Sequence, residues 1–109
     1  MRPRNWDKYE VALLIESADK INRGVARRDD ETKKLSGILR NRAQLLGEEV
    51  NEQFRNYNGI SLQLAAVESL LFPCDVERHC SRLFEEMVGL FNNDADLFNA
   101  ILSEAHRQI

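Results

Sequence analysis

Phe54-Arg55-Asn56-Tyr57-Asn58-Gly59-Ile60-Ser61-Leu62-Gln63-Leu64 changes character halfway along. The first half is polar and turn-forming: Asn58-Gly59 supplies backbone freedom, and Arg55 and Asn56 supply hydrogen-bond donors. The second half launches an apolar helix that runs from near Asn58 to about Phe72 and is closed by Pro73. Ile60, Leu64, Val67 and Leu71 make one face of it, and Leu62, Ala66 and Leu70 make a second. A helix with so wide an apolar surface is central or packs on two sides. A basic turn feeding it also fixes side chains at a helix N-terminus, where free backbone N–H groups favour anions. Core packing alone does not require that combination, so the stretch points to a binding surface.

Working outward, the spacing of apolar residues predicts four further helices and no competing strand alternation. The first runs from about Trp6 to Ile21 or Asn22, with Asn5 as N-cap, Asp7 in its first turn and Gly24 ending it. Val11, Leu14, Ile15, Ala18 and Ile21 share its core face, with Leu13 off it. The second starts after Asp29 or Asp30 and reaches Leu46, with Gly47 as its stop and Leu35, Ile38, Leu39 and Leu46 facing inward. Glu48 to Tyr57 is connection, pinned by Val50 and Phe54. Beyond Pro73, a fourth helix spans about Asp75 to Asn92, with Val76, Cys80, Leu83, Phe84, Met87 and Phe91 on its core face and Leu90 off it. Asn93 or Asp94 caps a fifth that carries Leu97, Phe98, Ile101, Leu102 and Ala105. The expectation is an all-α single domain over 1–109: a helix-turn-helix-like three-helix core at 5–72 and a C-terminal helical pair at 74–109.

Composition bounds the class. The chain has 109 residues, 43% hydrophobic and 30% charged, which suits one folded helical domain. Its early apolar run, Val11 to Ile15, is far shorter than the roughly 20 residues of a membrane span. No apolar signal region follows Met1-Arg2-Pro3-Arg4, and two cysteines suggest reduced thiols, so a cytoplasmic protein is expected. Charge is asymmetric: residues 1–60 carry a net +2 and residues 61–109 a net −5. An acidic whole argues against indiscriminate coating of nucleic acid, whereas a local basic face can still meet phosphates.

Trp6-Asp7-Lys8-Tyr9-Glu10-Val11-Ala12-Leu13-Leu14, the Leu39-Arg40 step, and Phe54 to Ile60 with Gln63-Leu64 resemble a small helical module of bacteria. That module stands at the N-termini of restriction-type proteins, among them HNH-type modified-cytosine restriction nucleases and helicase-linked defence proteins. The resemblance covers about residues 5–72, with a weaker echo through Leu83 to Val88 and Asn93-Asp94. It implies a non-catalytic accessory domain of an anti-phage system that helps deliver a nuclease or helicase domain or subunit to DNA. The aromatic-led first helix is also loosely similar to Myb-like and helix-turn-helix modules. Two departures stand out: a connection of about ten residues between the second and third helices where the standard turn has 3–4, and a mostly apolar third helix.

On the DNA reading, Arg55, Asn56 and Asn58 contact phosphate or base edges, and Ser61 and Gln63 come nearest to the bases; a Gln can read adenine. Arg2, Arg4, Arg23, Arg27, Arg28, Lys33, Lys34 and Arg40 supply positioning phosphate contacts. Against this, Asn56 can be a helix cap, Asn58-Gly59 an ordinary turn pair, and Arg55 half of an internal salt bridge. Arg42 falls on an apolar face and needs a partner, with Glu10, Glu16 and Glu68 as candidates. Trp6 and Tyr9 read as a staple for the first helix.

Cys74, His79, Cys80 and the distant His106 lack zinc-site spacing, so no metal or other cofactor is expected. Glu85 and Glu86 point to different sides of a helix, the five glycines are scattered, and no nucleophile has a His and an acid in pattern. No catalysis is expected. The contrasting expectation is a protein-interaction or homo-oligomerisation module, in which Leu13, Leu62 and Leu90 belong to an interface.

Overall fold

Asp7 and Glu10 form a reciprocal capping box: the Asp7 carboxylate accepts from the Glu10 N–H at 2.9 Å, and Glu10 accepts from the Asp7 N–H at 3.1 Å. The first helix, α1 (Lys8–Asn22), therefore starts two residues later than apolar spacing indicates, and Asp7 rather than Asn5 is its cap. The computed structural model describes residues 5–72 and 81–109. These form five α-helices and, among the described residues, no strand: α1, α2 (Arg28–Leu45), α3 (Tyr57–Leu71), α4 (Arg82–Asn93) and α5 (Ala95–Arg107). No helix among the described residues is long and apolar enough to cross a membrane.

α1 is the axis of the assembly, touching each of the other four helices. Val11, Ala12, Leu14, Ile15 and Ala18 are fully buried, and Leu13 is only 2% exposed. Leu13 thus belongs to the core, not to an interface: a helix surrounded by four others has no spare face. Burial of each such leucine stabilises the fold by roughly 1.5–3 kcal/mol. Leu35, Leu39 and Ala43 of α2 and Ile60, Leu64 and Val67 of α3 cover one side of α1, while Phe84, Met87 and Val88 of α4 with Phe98 and Ala105 of α5 cover the rest.

The helix ends have local causes. α2 starts at Arg28, ahead of the acids expected to precede it, so Asp29, Asp30 and Glu31 fill its first turn and complement the helix dipole. It stops at Leu45 and leaves Leu46 59% exposed, outside the core it was expected to join. Ser81 has extended backbone (ψ 156°) and caps α4 through the Phe84 N–H, so α4 begins at Arg82 and not as a continuous helix from Asp75. Val76 and Cys80, expected on its core face, and the Cys74–His79–Cys80 cluster lie outside the described residues. Asp94 ends α4 and caps α5, and Phe91 meets Phe98 edge-to-face at 5.2 Å to close that pair. Leu90 is half-buried against the core.

The α2–α3 connection, residues 46–56, is long but tied down. One Arg40 amino group donates to the carbonyls of Asn51 at 2.9 Å and Phe54 at 2.6 Å, and Ser36 donates to the Arg55 carbonyl at 2.7 Å. The Asn51 side chain accepts from the N–H groups of Gln53 and Phe54. This clamp sets the entry to α3.

Candidate nucleic-acid interface and an adjoining cleft

Arg55 is the residue whose placement differs most from the surface role expected of it. Its backbone is left-handed (φ 49°), a conformation that costs a non-glycine residue on the order of 1–3 kcal/mol. The turn throws the side chain inward, where its Nε donates to Glu10 at 2.9 Å and an amino group approaches the same carboxylate at 3.3 Å. Both side chains are shielded, at 6% and 0% exposure. The guanidinium lies 4.1 Å from the Trp6 ring centre and 4.6 Å from that of Phe54. Arg55 is thus half of a buried ion pair and is not a surface phosphate contact. Ion pairing, two aromatic walls and the loop clamp together outweigh the backbone strain.

Asn56 also has a structural task. It is the N-cap of α3, accepting from the Gly59 N–H at 2.8 Å. A Cβ on Gly59 would stand 3.0 Å from that same amide oxygen, which explains a glycine here inside the first turn. Arg40 is committed to the loop clamp. Arg42 is buried and paired, but with none of the three expected acids: it donates to Asp7 at 3.0 Å and to Gln108 at 2.7 and 2.9 Å. Glu10, Glu16 and Glu68 are held instead by Arg55, His106 and Arg28. A polar chain therefore runs Gln108–Arg42–Asp7–Glu10–Arg55, linking the end of α5, α2, the start of α1 and the loop.

Some of the other expected contacts meet where α2 passes the start of α3. Arg28 reaches from α2 to Glu68 and to the Ser61 carbonyl on α3, and the Tyr57 hydroxyl donates to Asp29 at 2.7 Å. Arg28 of α2 thereby stands beside Ser61 of α3, and the Asp29–Lys33 pair of α2 beside Tyr57. Arg27 and Asn58 are solvent-exposed, and Ser61 is half-buried. The segment is mixed in sign: Arg27 and Arg28 precede, and Lys33 and Lys34 follow, the acids Asp29, Asp30 and Glu31. Lys33 sits 3.0 Å from Asp29, and Lys34 3.4 Å from Glu31. The Tyr57 hydroxyl, then Lys33, hold the Asp29 carboxyl below its usual range; Asp29 in turn raises both the Lys33 ammonium and the Tyr57 phenol. The Lys33–Asp29 pair is exposed and weakened by solvent screening, so a phosphate can exchange for that carboxylate at little cost, whereas the Glu31 carboxylate is buried. Arg23 pairs with Asp19 at the end of α1. Arg2 and Arg4 lie outside the described residues.

Gln63 is not on the basic face. It turns into a cleft of about 210 Å³ walled by Trp6, Asn51, Gln53, Phe54, Arg55 and Gly59. The same Trp6 and Gln63 border a second, wider groove of about 620 Å³ against Asn5, Ala66, Ser81, Arg82, Leu83 and Phe84. Gly59, Gln63 and Ala66 follow helical spacing along α3, and Leu62, 61% exposed, shares that strip. Sequence reading missed Trp6, Asn51 and Gln53 as neighbours of Gln63, because only the left-handed turn at Arg55 folds the loop back onto α1. No protein-family profile, curated protein or solved structure matches the chain.

Proposed function

We propose that this chain is a non-catalytic DNA-targeting module that uses the α2–α3 ridge to contact the phosphate backbone, as in a restriction or anti-phage system. One observation carries the reading: Arg28 and the Asp29–Lys33 pair of α2 meet Ser61 and Tyr57 of α3 through the Arg28–Ser61 and Tyr57–Asp29 contacts, at an edge where Arg27 and Asn58, next in sequence, are exposed. Cations flanking a polar helix start are the arrangement that positions a protein on phosphates. The buried Arg55 and the capping Asn56 hold the ridge in shape without touching DNA. With few free cations, binding is weak and strongly salt-dependent, which suits a module that assists a nuclease or helicase partner.

Fluorescence anisotropy of a labelled 20-base-pair duplex at two salt concentrations tests this. Wild type binds at low salt, and the Arg27→Glu/Lys33→Glu variant loses most of that binding while its helical circular dichroism is unchanged. Equal binding by both proteins, or none by either at low salt, defeats the proposal.

A protein-interaction role has one specific observation in its favour, the 61% exposure of Leu62 beside the Trp6–Gln63 cleft. If that role holds through self-association, light scattering gives a mass above the monomer, and Leu62→Asp restores the monomer.

A further inference from the structure

The cleft at Trp6 and Gln63 takes no part in the ridge, and its chemistry differs from that of a phosphate site. Its cation, Arg55, is already matched by Glu10 at 2.9 Å, so the cleft carries little uncompensated charge. Three primary carboxamides, Asn51, Gln53 and Gln63, line it. The amides of Gln53 and Gln63 have no side-chain hydrogen-bond partner among the described residues, and the Asn51 oxygen is occupied while its NH2 group remains free. A carboxamide presents a donor and an acceptor side by side, which is the pattern on the edge of a nucleobase. An indole is a surface on which an unstacked base rests, and Trp6 is held in place on its other side by the buried Arg55 guanidinium at 4.1 Å. A volume of about 210 Å³ suits one planar ring system rather than a run of nucleotides.

We infer that this cleft binds a single unpaired nucleobase, with Gln63 and Gln53 reading its edge beside the Trp6 indole. The inference rests on the nucleic-acid reading of the ridge, and deepens it. The ridge holds backbone phosphates, and a base from a frayed, flipped or single-stranded site enters beside α3. Reading in the major groove by α3 is disfavoured by the same geometry, since Gln63 faces the cleft and Ser61 gives its carbonyl to Arg28.

Trp6 is the chain's single tryptophan and reports on the cleft directly. Intact protein is titrated with the four homopolymeric DNA tetranucleotides and with an abasic tetranucleotide of the same charge, following tryptophan fluorescence. The expected result is a saturable change with at least one base-bearing strand and none with the abasic strand. Gln63→Ala weakens the base-bearing strand by about tenfold or more, and Gln53→Ala weakens it to a lesser degree, with both variants folded by circular dichroism. An identical response to the abasic strand, or a Gln63→Ala protein that responds like wild type, overturns the inference. A fluorescence change that only an unrelated peptide produces also overturns it and assigns the cleft to a protein ligand. Failure of the ridge is separately visible: duplex binding is then absent while the base-dependent fluorescence change persists.

Discussion

Arg55 and Glu10 meet at 2.9 Å in the interior, one from a left-handed loop residue and the other from the first turn of the central helix. Removing one member leaves the other as an uncompensated buried charge, which costs about 3–5 kcal/mol. Arg55→Ala and Glu10→Ala therefore each lower stability by about that amount in urea denaturation. The double replacement Glu10→Leu/Arg55→Met is less destabilising than the two single losses added together. Single losses below about 1 kcal/mol would show that the pair is a surface-like contact after all.

The far end of the same polar chain makes a prediction about the C-terminus. Gln108 accepts from two nitrogens of the buried Arg42, whose remaining partner is Asp7. Gln108→Ala leaves those donors unsatisfied and costs about 1–3 kcal/mol. Gln108→Glu keeps an acceptor and stays close to wild type. A thermal midpoint unchanged in Gln108→Ala would mean that the end of α5 is not docked on α2.

Asn56 and Gly59 are coupled through one amide oxygen. Asn56→Ala removes the cap of α3 and costs about 0.5–2 kcal/mol. Gly59→Ala forces its Cβ to within 3.0 Å of that oxygen, so its helix-propensity gain of about 1 kcal/mol is cancelled. In an Asn56→Ala background the obstacle is absent and Gly59→Ala becomes stabilising. Additive effects of the two substitutions in a double-mutant cycle would contradict the coupling.

The Tyr57–Asp29–Lys33 cluster is sensitive to pH at both extremes. Asp29 has a depressed carboxyl, so its contribution is present above the ordinary carboxylate range and is lost as acid titrates it. Tyr57 is raised from 10.0, so its contribution is complete below that value and is lost as pH climbs through the folded-state value. In a Tyr9→Phe protein, absorbance titration places Tyr57 above a free phenol, and adding Asp29→Asn brings it back down. A Tyr57 curve indifferent to Asp29→Asn would show that the contact at 2.7 Å is not maintained in solution.

Five helices were legible from apolar spacing, because the 3.6-residue period survives wherever a helix packs on one side, as α4 and α5 do. Boundaries shifted where capping decided them. Asp7-x-x-Glu10 carries the capping-box spacing, but Asn5 ahead of the aromatic Trp6 offers an equally ordinary cap, and Val76 and Cys80 continue the helical period across Ser81. Leu13 went astray for a different reason: a helix enclosed by four others buries residues that spacing places off its main face. Of the candidate site, the residues at the start of α2 and α3 were legible as cations and polar turn residues. The roles of Arg55 and Arg40 were not, and Arg42 was legible as a buried, paired cation but not its partner Asp7, since an arginine's partner is fixed by tertiary geometry that charge pattern does not encode. Gln63 stands out in sequence as a polar exception on an apolar helix, but its neighbours Trp6, Asn51 and Gln53 come from two other segments.

The most direct test of the central claim is an amide chemical-shift titration of the 15N-labelled protein with a short DNA duplex at low salt. The account predicts that the shifted amides cluster at residues 27–34 and 57–61 and that the shifts collapse in Arg27→Glu/Lys33→Glu. Shifts absent altogether, or centred elsewhere with residues 27–34 unmoved, would contradict the assignment of the α2–α3 ridge as the DNA-contacting face.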